Sequence, residues 1–191
     1  VQCFTIRQIT DYKLQIANNN DYYVSKKYLD DVLKADTLVN TYLIQYKIPS
    51  TIKVDLTLKK PKFAIKSYNK YYLVDKSGLV LNLVNETSLP IINSNLDLAA
   101  GNYLDKKPKF AISIFEKTLF LYTVISSELS ENEFKITTKD NIIIRFPLDG
   151  DLDLLIGSLR LIFSRLNEGT QGIRMEDVHE IDLRFVSPVL R

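Results

Sequence analysis

His179 is the only histidine in the chain and Cys3 the only cysteine. His179 lies beside Glu180 and near Asp182, so a general base or a metal ligand is the chemistry to weigh first. A structural zinc site takes four Cys or His ligands, and this chain has two such residues in all. A catalytic base needs a nucleophile or substrate-polarising groups beside it, and none is clustered here in sequence. One cysteine also excludes an intrachain disulfide.

Asp149-Gly150-Asp151-Leu152-Asp153 begins like a calcium loop. That loop wants glycine at its sixth place and glutamate at its twelfth, and these places hold Leu154 and Arg160. Acidic residues at a helix N-terminus explain the run better. Gly169-Thr170-Gln171-Gly172 matches the bare GxxG of an RNA-binding loop, but no basic cluster surrounds it. Walker A, GxGxxG and GxSxG patterns are absent. We therefore expect no enzyme, no cofactor, no metal and no small-molecule substrate. A net charge of +2 gives no reason to expect a nucleic-acid partner.

The apolar content of 46% is that of a folded protein. No run reaches the ~18–20 apolar residues of a membrane span. The chain begins at Val1 and carries one methionine, Met175. It reads as a fragment from which an upstream anchor or signal has been removed.

Ile52, Val54, Leu56 and Leu58 alternate with Lys53, Asp55, Thr57 and Lys59, the pattern of a half-buried strand. Ile48-Pro49-Ser50 turns into it from a strand over 42–47. Phe4–Ile9 reads as a first strand. Ser25 is placed to cap a helix whose apolar face is Tyr28, Leu29, Val32 and Leu33. Residues 10–22 are too polar and Asn-rich for a second helix. The first domain, 1–66, is thus β-α-β-β.

Strands dominate the second domain, 67–191. Tyr71–Val74 and Leu79–Leu81 join through Asp75-Lys76-Ser77-Gly78, with Gly78 suited to the left-handed position. A longer connection spans 85–108. Hairpins are predicted around Glu116-Lys117, from Phe110–Phe115 and Thr118–Ile125, and around Lys139-Asp140. Leu152, Leu155, Ile156, Leu159, Ile162, Phe163 and Leu166 form one helical stripe, ending at Asn167 or Gly169. A short strand near Ile173–Met175 and a strand-like tail from His179 to Val189 complete the domain. Lys59–Ile65 and Lys106–Ile112 are the same heptapeptide, Lys-Lys-Pro-Lys-Phe-Ala-Ile, and read as two strand entries.

Two stretches carry a family resemblance. The first is the X-Pro-Ser-Thr turn, the alternating strand, Lys-Lys-Pro and Leu73-Val74-Asp75-x-x-Gly78. The second is the hairpin ending Ile142-Ile143-Ile144-Arg145-Phe146, the leucine-rich helix and Ile181-Asp182-Leu183-Arg184-Phe185. Together they resemble the extracytoplasmic region of the FtsQ/DivIB bacterial cell-division proteins. The resemblance implies an α+β fold: a small shortened POTRA-like β-α-β-β domain, then a mainly antiparallel β domain with one long amphipathic helix. A familiar POTRA domain has two helices before its hairpin, and only one is legible here.

The resemblance further implies a single-pass cell-membrane protein with this region outside, non-catalytic, acting as a scaffold during septum formation. Its partners would be the FtsB/DivIC-like and FtsL-like division proteins. The FtsB-type partner adds a strand to the last strand, and the matching positions are Arg184, Phe185, Val186 and Val189. An edge strand exposes unpaired N–H and C=O groups that a partner strand satisfies. Arg184 would then meet a partner carboxylate and Phe185 serve as an apolar anchor. The plain alternative is that both residues only close the sheet. Two other functions compete: a POTRA-bearing chaperone or transport component of the cell envelope, and an unrelated enzyme with a cleft. The helix-and-sheet domain ending in Ile181-Asp182-Leu183-Arg184 argues against the former.

Overall fold

A computed structural model describes residues 3–7, 26–47, 51–169 and 175–191. The chain divides into two compact units, Val1–Lys60 and Pro61–Arg191.

In the first unit β1 (Cys3–Arg7) is followed by α1 (Lys26–Ala35), β2 (Val39–Lys47) and β3 (Thr51–Leu58). The strand order is β1-β3-β2, with β1 parallel and β2 antiparallel to β3. The alternation of β3 acts as expected: Ile52, Val54 and Leu56 are buried with Leu29 and Leu33 of α1. Val32 is half-buried, while Tyr28 is largely exposed, so the helix face is narrower than its apolar residues suggest. The Ser25 cap, the turn at 48–50, the end of the first strand at Ile9 and the stretch 10–22 lie outside the described residues.

The second unit carries a nine-stranded sheet. Its strands are β4 (Phe63–Ser67), β5 (Lys70–Val74), β6 (Val80–Val84), β7 (Ile91–Ser94), β8 (Val124–Leu129), β9 (Phe134–Thr138), β10 (Ile143–Phe146), β11 (Glu180–Asp182) and β12 (Val189–Leu190). Their order is β12-β11-β10-β9-β8-β7-β4-β5-β6. The pairs β4–β7, β7–β8 and β10–β11 are parallel, and the rest antiparallel. The fold is α+β, as the resemblance implies.

Parallel neighbours need a crossover, and each helix of this unit supplies one. Helix α3 (Leu152–Glu168) joins β10 to β11. Its Asp151 N-cap accepts from the amides of Asp153 and Leu154, and Gly169 closes it at φ 63°. The acidic start is as the sequence predicts, and of the two ends it offers, Asn167 and Gly169, the helix takes Gly169.

Helix α2 (Lys106–Leu121) joins β7 to β8 and corrects the predicted hairpin at 110–125. Phe110, Ile112, Ile114 and Phe115 have strand-like side chains, which favours the wrong reading. Yet Pro108, Ala111, Ile112, Phe115 and Thr118 recur at helical spacing and are all buried. Glu116-Lys117 offers no turn residue. Pro108 is tolerated because first-turn amides have no intrahelical acceptor. The two helices pack on each other, with the Tyr122 and Phe163 rings 4.3 Å apart.

The repeated heptapeptide therefore leads into strand β4 at its first occurrence, its last three residues opening the strand, and is the start of α2 at its second. At the first, Ser67-Tyr68-Asn69-Lys70 closes a tight hairpin, with φ 46° at Tyr68 and 63° at Asn69. Positive φ at both central residues is the type I′ pattern that matches strand twist.

The core gathers Phe63, Phe115, Phe134 and Phe146 with residues of both helices. Gly78 stands at φ 84°, as the Asp75–Gly78 turn requires. The buried Asp75 carboxylate accepts from Ser77 N, Ser77 Oγ and Leu79 N at 2.7–2.9 Å. The predicted strand near 173–175 is not one where it is described: Met175–Asp177 is a 3-10 turn, and Ile173 lies outside the described residues. The tail from His179 is not continuous either. It makes the three residues of β11, bends through 184–187, and returns as β12.

Candidate partner-binding edge

β12 is one edge of the large sheet. It runs antiparallel to β11, pairing Ile181 with Leu190 and Asp182 with Val189. Glu180 and Arg191 exchange both backbone bonds, N–H to C=O, at 2.9 and 3.0 Å. Successive residues of an antiparallel strand alternate in facing their neighbour. The amide and carbonyl of Leu190 therefore point away from β11. Pro188, with no N–H, limits the edge on its other side.

The bend between the strands presents the predicted residues. Phe185 is 53% exposed and Val186 fully exposed. Val189 lies in β12 and is half-buried. Arg184 differs from these, because its guanidinium is already engaged. Nε and Nη2 donate to Asp182 Oδ1 and Oδ2 at 2.9 and 2.6 Å, and Nη1 lies 2.7 Å from Glu133 Oε2. Its Cζ stands 6.0 Å from the Phe185 ring centroid.

Those contacts belong to an alternating chain of charges that sequence reading misses. Asp182, Arg184, Glu133, Arg145, Glu180 and Arg191 are linked in that order as ion pairs. Arg145 Nη1 donates to Glu133 Oε1 at 2.6 Å, and Arg191 Nη1 to Glu180 Oε1 at 2.9 Å. Residues from β9–β12 and their flanks are thereby tied together. The hydrogen bond from Arg184 holds the Asp182 carboxyl below its ordinary range, against the opposing effect of burial. Arg184 and Arg145 are raised in turn, chiefly by their interactions with Asp182 and Glu180.

His179 is exposed, and its amide donates to the Arg191 carbonyl. Among the described residues, no group of three or more His, Cys, Asp or Glu is placed to hold a metal ion. Among the same residues, no helix is long and apolar enough to cross a membrane.

No family model matches the chain. It is similar to the cell division protein DivIB of Clostridium acetobutylicum, at 26% identity over 170 residues, covering 86% of this chain. The similarity supports membership of the FtsQ/DivIB family. The chain spans 66% of that relative's length. The region shared with this FtsQ/DivIB-family relative takes in most of both units described above. The Ile181–Phe185 run, part of the second of the two stretches that carry the resemblance, contributes to β11 and the bend after it.

Proposed function

We propose that this chain is the extracytoplasmic part of a single-pass membrane protein of cell division. It acts without catalysis, as a scaffold that binds the FtsB/DivIC-like and FtsL-like pair during septum formation. The partner adds a strand to β12. The observation that carries this reading is the outward-facing backbone of Leu190 beside the exposed Phe185 and Val186. Backbone bonds supply the docking and these side chains the selectivity. Phe185, Val186 and Val189 are the apolar contacts. Arg184 fixes the bend that presents them.

The test is calorimetric titration of this chain with the soluble extracytoplasmic region of its own organism's DivIC-like protein, with the FtsL-like protein added in a second series. We expect binding that Phe185→Glu abolishes while the melting temperature holds. Binding that survives the substitution moves the site elsewhere. Absence of binding in both series removes the partner assignment.

A further inference from the structure

Two acids share Arg184, and it holds them unequally. Asp182 takes a side-on fork and also accepts the Arg184 backbone N–H at 3.1 Å. Glu133 meets Arg184 through Oε2, a buried oxygen at 2.7 Å that lies outside hydrogen-bonding geometry. Its other oxygen, Oε1, is well bonded to Arg145. The Glu133 backbone is fixed independently, by Ser130.

We infer that Glu133 is an internal stand-in for a carboxylate of the incoming partner. An Asp or Glu on the added strand displaces Glu133 from Arg184, and Glu133 stays on Arg145. This inference rests on the edge reading above, including the partner carboxylate expected at Arg184, and adds Glu133 as the residue that sets the affinity.

Three features support it. The Glu133–Arg184 contact given up is held by charge alone, whereas the Glu133–Arg145 and Asp182–Arg184 contacts kept are directional hydrogen bonds. No carboxylate loses its last arginine in the exchange, because Glu133 keeps Arg145; a buried carboxylate with no partner would be far more costly. The network is also balanced, three arginines against three acids. A balanced rim exerts little long-range pull on an acidic strand, so selection for a carboxylate happens at contact.

The experiment titrates the 191-residue chain with the extracytoplasmic region of the DivIC-like protein, comparing Glu133→Gln, Arg184→Gln, the double variant and Phe185→Glu. Removing the competitor should tighten binding about two- to fivefold, the scale of a partly exposed ion pair. The double variant should bind no more tightly than Arg184→Gln alone. If Glu133→Gln weakens binding or leaves it unchanged while Phe185→Glu abolishes it, the stand-in idea is overturned and the edge reading survives. If Phe185→Glu has no effect, or the unaltered chain does not bind with or without the FtsL-like protein, the edge reading fails and this inference with it. A second readout needs no substitution at Glu133. Its side-chain carboxyl 13C resonance should shift on addition of the partner, and a resonance that does not move overturns the exchange.

Discussion

Asp182 and Arg184, two residues apart at the end of β11, form a side-on fork with bonds of 2.9 and 2.6 Å. The carboxylate is fully buried, and the guanidinium is about one-third exposed. The pair fastens the bend carrying Phe185 and Val186 to the last buried strand.

Acid should loosen that bend. The folded-state pKa of Asp182 is lowered, so its contribution is present above the ordinary aspartate value of about 3.9. It is lost as pH falls from there through the depressed folded value. Hydrogen exchange followed from about pH 6 to about pH 3 should show 184–190 opening before β9 and β10. Asp182→Asn should remove the acid-dependent part and cost about 1–3 kcal/mol, read by denaturant melts. Equal pH dependence in both proteins would assign the effect to another carboxyl.

Leu190→Pro separates strand addition from side-chain docking. The Leu190 amide faces outward, so proline there spares the β11 ladder and removes only the outward donor. Partner affinity should fall roughly tenfold, the scale of one lost backbone hydrogen bond. The fold should persist with a modest loss of stability from the missing leucine side chain. Unchanged affinity would argue against backbone pairing at this edge.

Asp75→Ala should destabilise the second unit by about 2–3 kcal/mol, because it strands the buried amide of Leu79 and the part-buried amide of Ser77. Asp75→Asn, which keeps an acceptor, should cost less. The comparison is read from the urea transition, and equal losses would mean that the turn tolerates open donors.

Phe115→Ala tests helix α2. The ring lies 5.9 Å from Phe63 and meets Phe134 edge-on at 6.0 Å. Its loss should cost about 3–5 kcal/mol. Phe120→Ala on the same helix should cost almost nothing, since Phe120 is 82% exposed. Similar costs at both positions would suit a hairpin with alternating faces better than this helix.

The contrast between α2 and α3 shows how much was legible. Leu152 to Leu166 advertises its helix because one face is apolar, Asp151 starts it and Gly169 stops it. α2 buries more of its surface between the sheet and α3, so its apolar residues spread around the helix and the period blurs. The shared heptapeptide makes the point sharper. Lys59–Ile65 and Lys106–Ile112 have equal local preferences, and the surrounding sequence and packing decide between strand and helix. At the candidate edge, Phe185 and Val186 were reachable through a family signature. Glu133 was not, because it comes some fifty residues earlier in the chain and only folding brings it to Arg184. Charge alternation across strands leaves no mark in a linear pattern.

The last strand is only two residues long and is closed off by Pro188. Long, flat, open edges invite copy after copy of the same chain and grow into fibres. β12 offers only a brief pairing surface beyond Pro188. At this edge two residues of backbone leave little for a second copy of the chain to pair with, so any selectivity falls to the side chains.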